Sequence, residues 1–202
     1  MVSPYRKTLD RARRRLYDRN MDLRYPIGPF DWNTRPAANS RPELINQLAA
    51  AAALLRQAVA GLDDKQLDTP YRPEGWTVRQ VVHHMADSHA NMYVRLRFAL
   101  TENQPTIKPY DEKLWAELSD ARTLPVEPSL ALLDNLHQRC VAVMRSFSQE
   151  DWSRAYMHPE EGMIHLDSVL AGYAWHCRHH TAHIIGLRER MGWNDAARHA
   201  AT

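Results

Sequence analysis

Long apolar runs and closely spaced cysteines are both missing from this sequence of 202 residues. No stretch of about 18 consecutive apolar residues occurs, so no segment is predicted to span a membrane. The N-terminal residues also lack the apolar core of a secretory signal peptide. The two cysteines, Cys140 and Cys177, lie inside helical patterns and form no CxxC pair. We therefore expect a cytoplasmic protein with reduced thiols and no membrane partner.

Glycine is scarce as well, with 7 residues against 12 prolines. The prolines concentrate between periodic segments, which favours helices joined by stiff connectors. Apolar residues make up 44% and charged residues 25% of the chain, an ordinary balance for a globular protein. A chain of this length has room for one domain with its own core.

Apolar residues recur with helical spacing in four long segments. They cover residues 42–60, about 25 residues that begin at Thr77, residues 129–147 and residues 167–191. Thr77 and Gln80 have the spacing of a capping box, and Gly61 and Gly192 follow two of the segments as helix stops. The pattern predicts an all-α four-helix bundle with long connections, not a plain up-down-up-down arrangement.

Two shorter features lie in the connections. A short helix is predicted within residues 111–118, inside the proline-containing stretch 103–127. Residues 154–166 contain a turn at 159–162 between apolar flanks, which is compatible with a small β-hairpin over one end of the bundle.

The ends of the chain differ from its body. Residues 1–20 hold seven basic side chains against two acidic ones. Such a tail could bind nucleic acid, but the body offers no matching basic patch, so we expect no nucleic-acid partner. We predict a disordered basic extension at residues 1–20, one domain at residues 21–194 and a tail at residues 195–202.

Eleven histidines are many for this length, and seven of them lie on the second and fourth helical segments. His176 and His180 are four residues apart, so both rings project from one face of a helix and can bind one metal ion. A helical wheel places His176, His180 and His183 along the edge of the apolar face, and His179 outward.

On the second segment, His84, Ser88, Asn91 and Arg95 form a polar stripe beside the apolar face, and His83 points outward. Two such stripes that face each other would line a polar pocket inside the bundle, where helical proteins build metal sites. Two other interpretations remain open: interior histidines often serve as hydrogen-bonded core residues, and a histidine-rich face can be solvated and respond to pH.

Several known catalytic motifs are absent. The residues after His176 are Cys177 and Arg178, so the HExxH motif of zinc proteases does not occur. No GxSxG elbow and no phosphate-binding loop is found. Cys177 falls on the apolar face and is predicted to be a core residue.

Five segments carry a resemblance to a known family: LRYPIG (23–28), DTPYRPEGWTVRQVVHHMADSH (68–89), IKPYDEKLWAEL (107–118), HPEEG (158–162) and YAWHCRHHTAHI (173–184). They resemble the YfiT-like branch of the DinB-like superfamily, whose members are described as metal-dependent hydrolases or, in some cases, bacillithiol transferases. The resemblance runs from about residue 21 to residue 193 and leaves residues 1–20 outside.

The resemblance implies a four-helix bundle, often dimeric, so a homodimer is an expectation. It also implies that His84, His176 and His180 are the metal ligands, because they match the family's three histidines. One divalent ion per chain is expected, with zinc or nickel as the leading candidates, although nitrogen ligands also suit other metals.

Three neutral imidazoles leave a coordination position open, which is typical of a catalytic metal. Bound water would make the protein a hydrolase, whereas a bound low-molecular-weight thiol would make it a thiol S-transferase. The partner in either case is a small-molecule substrate, which Ser88, Asn91 and Arg95 could orient. These three residues could equally form a structural hydrogen-bond network. A metal-binding module without catalysis is a further alternative.

Overall fold

The computed structural model describes residues 22–193, and four long helices account for most of this range. We label them α1 (Arg41–Val59), α3 (Val78–Thr101), α6 (Glu127–Arg145) and α8 (Leu166–Met191). The connections contain four shorter helices, namely α2 (Asp64–Leu67), α4 (Glu112–Ala116), α5 (Ser119–Thr123) and α7 (Gln149–Ser153). A 3₁₀ turn, Ala38–Ser40, precedes α1. The predicted helical class is confirmed.

Local sequence signals begin and end these helices. Thr77 accepts a hydrogen bond from the backbone N–H of Gln80, and the Gln80 side chain accepts one from the backbone N–H of Thr77, which completes the predicted capping box of α3. Helix α8 ends at Gly192, which has a φ of 70° that a residue with a side chain rarely adopts. The short helix predicted near residues 111–118 forms as α4, with Asp111 as its cap.

The four long helices enclose one apolar core. Helix α1 packs against α6 and α8, and α3 packs against the same two helices. The successive long helices α1 and α3 therefore lie diagonally across the bundle, which confirms that the topology is not a plain up-down-up-down one. Each helix contributes fully buried side chains to the core, among them Leu55, Met85, Leu133 and Leu170.

The predicted hairpin forms between α7 and α8. Strand β1 (Ala155–His158) pairs antiparallel with β2 (Gly162–His165), and Tyr156 lies opposite Ile164. The hairpin packs on α3 through β1 and on α8 through β2. It therefore covers the bundle where these two helices meet.

The segment before α1 lies along the outer side of α8. The indole Nε1 of Trp175 donates to the carbonyl of Gly28 at 3.2 Å. The ring of Trp32 packs so closely on Gly172 that an added Cβ would lie 2.3 Å from it. This segment thus covers a face of α8 that the four long helices alone would leave exposed to solvent.

None of the helices within residues 22–193 is long and apolar enough to cross a membrane. The predicted extension at residues 1–20 and the predicted tail at residues 195–202 lie outside the described residues.

Candidate metal centre

Helices α3 and α8 bring the three predicted ligands together. His84 comes from α3, and His176 and His180 come from successive turns of α8. One ligand nitrogen from each ring lies within 4.8 Å of the others. His84 and His180 are buried, and His176 is half-buried. His84 and His176, which are 92 positions apart in the chain, thus belong to one cluster.

The spacing of the nitrogens fits a single ion. The Nε2 atoms of His84 and His176 are 3.2 Å apart. Three nitrogens bound tetrahedrally to zinc at about 2.0–2.1 Å would lie about 3.3 Å apart. Within residues 22–193, no carboxylate or thiol joins this cluster, so the protein would supply only neutral imidazoles.

Burial keeps these rings unprotonated. Desolvation lowers the pKa of His84 to about 4. Desolvation also lowers the pKa of His176 and of His180 well below the usual value, and the neighbouring histidines lower both further. At neutral pH each ring therefore has a free lone pair, as a metal ligand requires.

Behind His176 lies a chain of two buried histidines. The Nδ1 atom of His176 is 3.3 Å from Nε2 of His89, and Nδ1 of His89 is 2.8 Å from Nε2 of His137. When Nε2 of His176 faces the ion, the proton must be on Nδ1, which then donates to His89. His89 in turn donates from Nδ1 to His137. The chain can therefore accept the Nδ1 proton of His176 in the tautomer that leaves Nε2 free for an ion.

His180 has a similar support on its other side. Its Nδ1 atom is 3.4 Å from Nδ1 of His183, and Nε2 of His183 is 3.2 Å from the carbonyl oxygen of Arg24. A carbonyl can only accept, so His183 carries its proton on Nε2 and accepts at Nδ1 from His180. This arrangement again leaves Nε2 of His180 free for the ion.

His89, His137 and Cys177 also lie close enough together to hold an ion. The histidine nitrogens in this group already face one another, and burial raises the pKa of the Cys177 thiol, which keeps it protonated. We therefore assign the two histidines to the support of His176. Cys177 is a core residue, as the sequence predicts.

The predicted outward orientation of His83 and His179 is wrong. Both side chains are buried. His83 lies 2.7 Å from the hydroxyl of Ser129 through Nδ1, and His179 stacks on Trp175 with ring centroids 4.3 Å apart. Nε2 of His83 is also 3.2 Å from the carbonyl oxygen of Leu124, and the ring of Tyr25 lies 6.0 Å from that of His179. The connection before α6 and the segment before α1 thus cover the faces that the helical wheel left exposed.

The cluster opens into a cavity of about 460 Å³ beneath the hairpin. Ser88 and Arg95 line this cavity together with the three histidines. Asn91 is not part of the lining, because its amide donates to the backbone carbonyl of Asp87 at 3.0 Å. A larger cavity of about 650 Å³ between α1 and α8 contains none of the three clustered histidines.

Aromatic residues complete the lining of the cavity, and the sequence patterns assign them no role. Trp76 packs on His84 with ring centroids 4.6 Å apart. Tyr110, Tyr156 and Tyr173 line the end of the cavity that contains Arg95. Of these, Tyr173 could have been predicted from the sequence, because it precedes His176 by about one helical turn and therefore lies on the same face of the helix.

Comparison with known proteins identifies relatives over most of the chain. A family model described as the DinB superfamily matches residues 47–184. A Bacillus cereus protein named "Putative metal-dependent hydrolase" is 50% identical over 172 residues, covering 85% of this chain and 99% of that protein. A Bacillus mycoides protein with the same description is also 50% identical over 172 residues, with the same coverage.

A solved structure shares the fold. YfiT from Bacillus subtilis, described as "a probable metal-dependent hydrolase with an unusual four-helix bundle topology", superposes with a TM-score of 0.83 at 46% identity. The match covers 86% of this chain and 100% of that chain.

Proposed function

The chain belongs to the DinB superfamily, and from that premise we propose that it is a metal-dependent hydrolase whose single divalent ion is held by His84, His176 and His180. The observation that carries this proposal is the convergence of three neutral imidazoles at the wall of a cavity large enough for a small molecule. A purely structural ion would be enclosed by four protein ligands, whereas this cluster offers three and faces open space.

Each group in the site has a separate task. The three histidines would hold a divalent ion through nitrogens that carry no proton. An ion held there would supply the Lewis acidity that activates water toward an acyl or amide carbon. Trp76 and the hairpin cover part of the cavity and so reduce its exposure to solvent. Zinc and nickel both suit three nitrogen ligands, and we propose one of these two as the resident metal.

Transfer to a small thiol is the second candidate function. It is favoured by the lack of a carboxylate in the ligand cluster of the described residues. A thiol that is held as thiolate needs no separate base. A cluster of neutral ligands leaves the charge of the ion available to stabilise that thiolate.

Metal analysis of the purified protein tests the ligand assignment. Wild-type protein should bind one divalent ion per chain, and His84→Ala, His176→Ala and His180→Ala should each lose stoichiometric binding. His165→Ala is the matched control, because His165 is not among the residues that line the cavity and its Nδ1 atom lies 3.0 Å from the carbonyl oxygen of Ser153. Full occupancy in His176→Ala would refute the assignment.

Paired assays separate the two reactions. One uses p-nitrophenyl acetate to detect hydrolysis, and the other uses cysteine with monobromobimane to detect thiol transfer. Each is run with metal-loaded protein, chelated protein and His176→Ala. Hydrolysis that needs both the ion and His176 supports the hydrolase. Metal-dependent conjugation with no hydrolysis supports the transferase, and equal rates with and without the ion contradict both.

A further inference from the structure

Arg95 is a buried cation without an anionic partner. Its side chain lines the cavity of the three histidines, and only 9% of the residue is exposed. Among residues 22–193 it forms no ion pair with a carboxylate. Its buried Nε atom has no hydrogen-bond partner there. Burying a guanidinium without a counter-charge is costly, so a functional reason is required.

The groups within residues 22–193 that the guanidinium contacts directly are neutral. Its Nη2 atom donates to the carbonyl oxygen of Lys108 at 3.4 Å. The hydroxyl groups of Tyr156 and Tyr173 interact with the guanidinium, and its central carbon lies 5.9 Å from the ring centroid of Tyr110. These neighbours fix the orientation of the guanidinium and form no ion pair with it.

The side chain also points toward the metal cluster. Arg95 lies eleven residues after His84 on α3, a rise of about 16 Å along the helix. Side chains on a helix tilt toward its N-terminus, so the guanidinium reaches back toward the histidines. Tyr173 contacts Arg95 through its hydroxyl group and lies 5.9 Å from the ring of His176. A single tyrosine thus separates the cation from a ligand of the proposed ion.

We propose that Arg95, with Tyr156, binds a carboxylate of the substrate while the reacting group lies at the three histidines. The substrate class is a small carboxylate-bearing molecule, and this inference extends the proposed function by naming its substrate. A carboxylate pairs with the planar fork of a guanidinium, and the Tyr156 hydroxyl can donate to one of its remaining lone pairs. The Tyr173 hydroxyl already donates to the backbone carbonyl of Ser88 at 3.3 Å, so Tyr173 helps to hold Arg95 in place.

A single negative charge fits this cavity better than a phosphate dianion. Arg95 is the only arginine or lysine among its lining residues, and three carboxylates, those of Glu112, Glu160 and Glu161, also line it. They repel a dianion more strongly than a monoanion, whereas one cation matches one negative charge.

Titration of metal-free protein tests the carboxylate site by itself, because Arg95 does not depend on the ion. Glutarate, uncharged 1,5-pentanediol and inorganic phosphate are added to wild-type protein, Arg95→Gln and Arg97→Gln, and both the backbone amide and the arginine Nε–H resonances are followed by NMR, so that binding is also measured in the variant that lacks Arg95. Arg97→Gln is the matched control, because it removes the same charge from the same helix outside the cavity lining.

Glutarate should shift the Arg95 Nε–H resonance saturably in wild type and in Arg97→Gln, while pentanediol should not. Arg95→Gln should bind glutarate about tenfold more weakly, the effect of losing a charged hydrogen-bond partner. Absence of glutarate binding, or equal binding by Arg95→Gln, overturns the proposal, and tighter binding of phosphate overturns the choice of carboxylate. The titration uses metal-free protein, so its result does not depend on whether the metal analysis confirms the three ligands. Failure of the carboxylate proposal can therefore be distinguished from failure of the proposed function.

Discussion

The Nδ1 atom of His176 lies 3.3 Å from the Nε2 atom of His89, so a metal-facing histidine is held from behind by a fully buried one. His89 is bonded in turn to His137, which comes from α6. The orientation of one proposed ligand therefore depends on a helix that contributes no ligand itself.

Replacing His89 should weaken metal binding without removing a ligand. In His89→Phe, the ring volume is largely kept, but Nδ1 of His176 loses its acceptor and the ring is free to adopt the other tautomer. We expect the affinity for zinc to fall by about 10–100-fold. Competition with a chelating dye measures this change.

His89→Gln provides the matched comparison, because its side-chain oxygen can still accept from His176. It should recover part of the lost affinity. Equal affinity in wild type and His89→Phe would show that the hydrogen bond does not position His176.

Chelation should leave the bundle folded. The apolar core spans all four long helices and does not include the metal ligands. The ion should therefore add stability by binding the folded state rather than by creating it. Circular dichroism should retain its helical signal after metal removal, with a lower melting temperature. Loss of most of that signal would instead indicate a structural ion.

Acid should destabilise the metal-free protein in a defined pH range. Burial lowers the pKa of His84, His137, His179 and His183 to about 4. In the unfolded chain a histidine takes up its proton near pH 6.5, so the unfolded state binds protons first. The free energy of unfolding should fall from about pH 6.5 to about pH 4, by at most about 1.4 kcal/mol per pH unit for each histidine.

One carboxyl group opposes this trend. Burial and the charge of Asp120 raise the pKa of Asp87 to about 6, so the folded state binds that proton first. The four histidines outweigh the one aspartate, so the free energy of unfolding should still fall as the pH falls. Urea unfolding at several pH values measures it, and a flat profile between pH 7 and pH 4.5 would contradict the assignment of buried neutral histidines.

A methyl group at Gly172 should disturb both stability and the cavity. The added Cβ would lie 2.3 Å from the ring of Trp32, which lines the cavity and must move. We expect Gly172→Ala to lower the free energy of unfolding by about 1–3 kcal/mol.

Gly186→Ala is the control on the same helix. Its Cβ would meet only the end of the flexible Arg190 side chain, at 3.3 Å. Alanine favours a helix over glycine by about 1 kcal/mol, so this variant should be neutral or slightly stabilised. Thermal melting compares the two variants. Equal stability would show that the close packing of Trp32 does not require glycine at position 172.

Local features of the chain were predictable from the sequence because they depend on near neighbours. Helical periodicity and the capping box at Thr77 identified the long helices. The spacing of four residues placed His176 and His180 on one face before any fold was known. The turn at residues 159–162 indicated the hairpin. The polar stripe on the second helical segment offered His84 as a partner of this pair, and the family resemblance selected it.

The tertiary structure decided which faces are covered and what the histidines do. A helical wheel describes one helix, and it therefore placed His83 and His179 outward, although non-periodic segments bury them. His89 and His137 meet only because α3 and α6 pack together. Arg95 belongs to a polar stripe in the sequence, but its burial without a counter-charge follows from tyrosines on the hairpin and on α8. Such contacts join distant parts of the chain, and local periodicity carries no information about them.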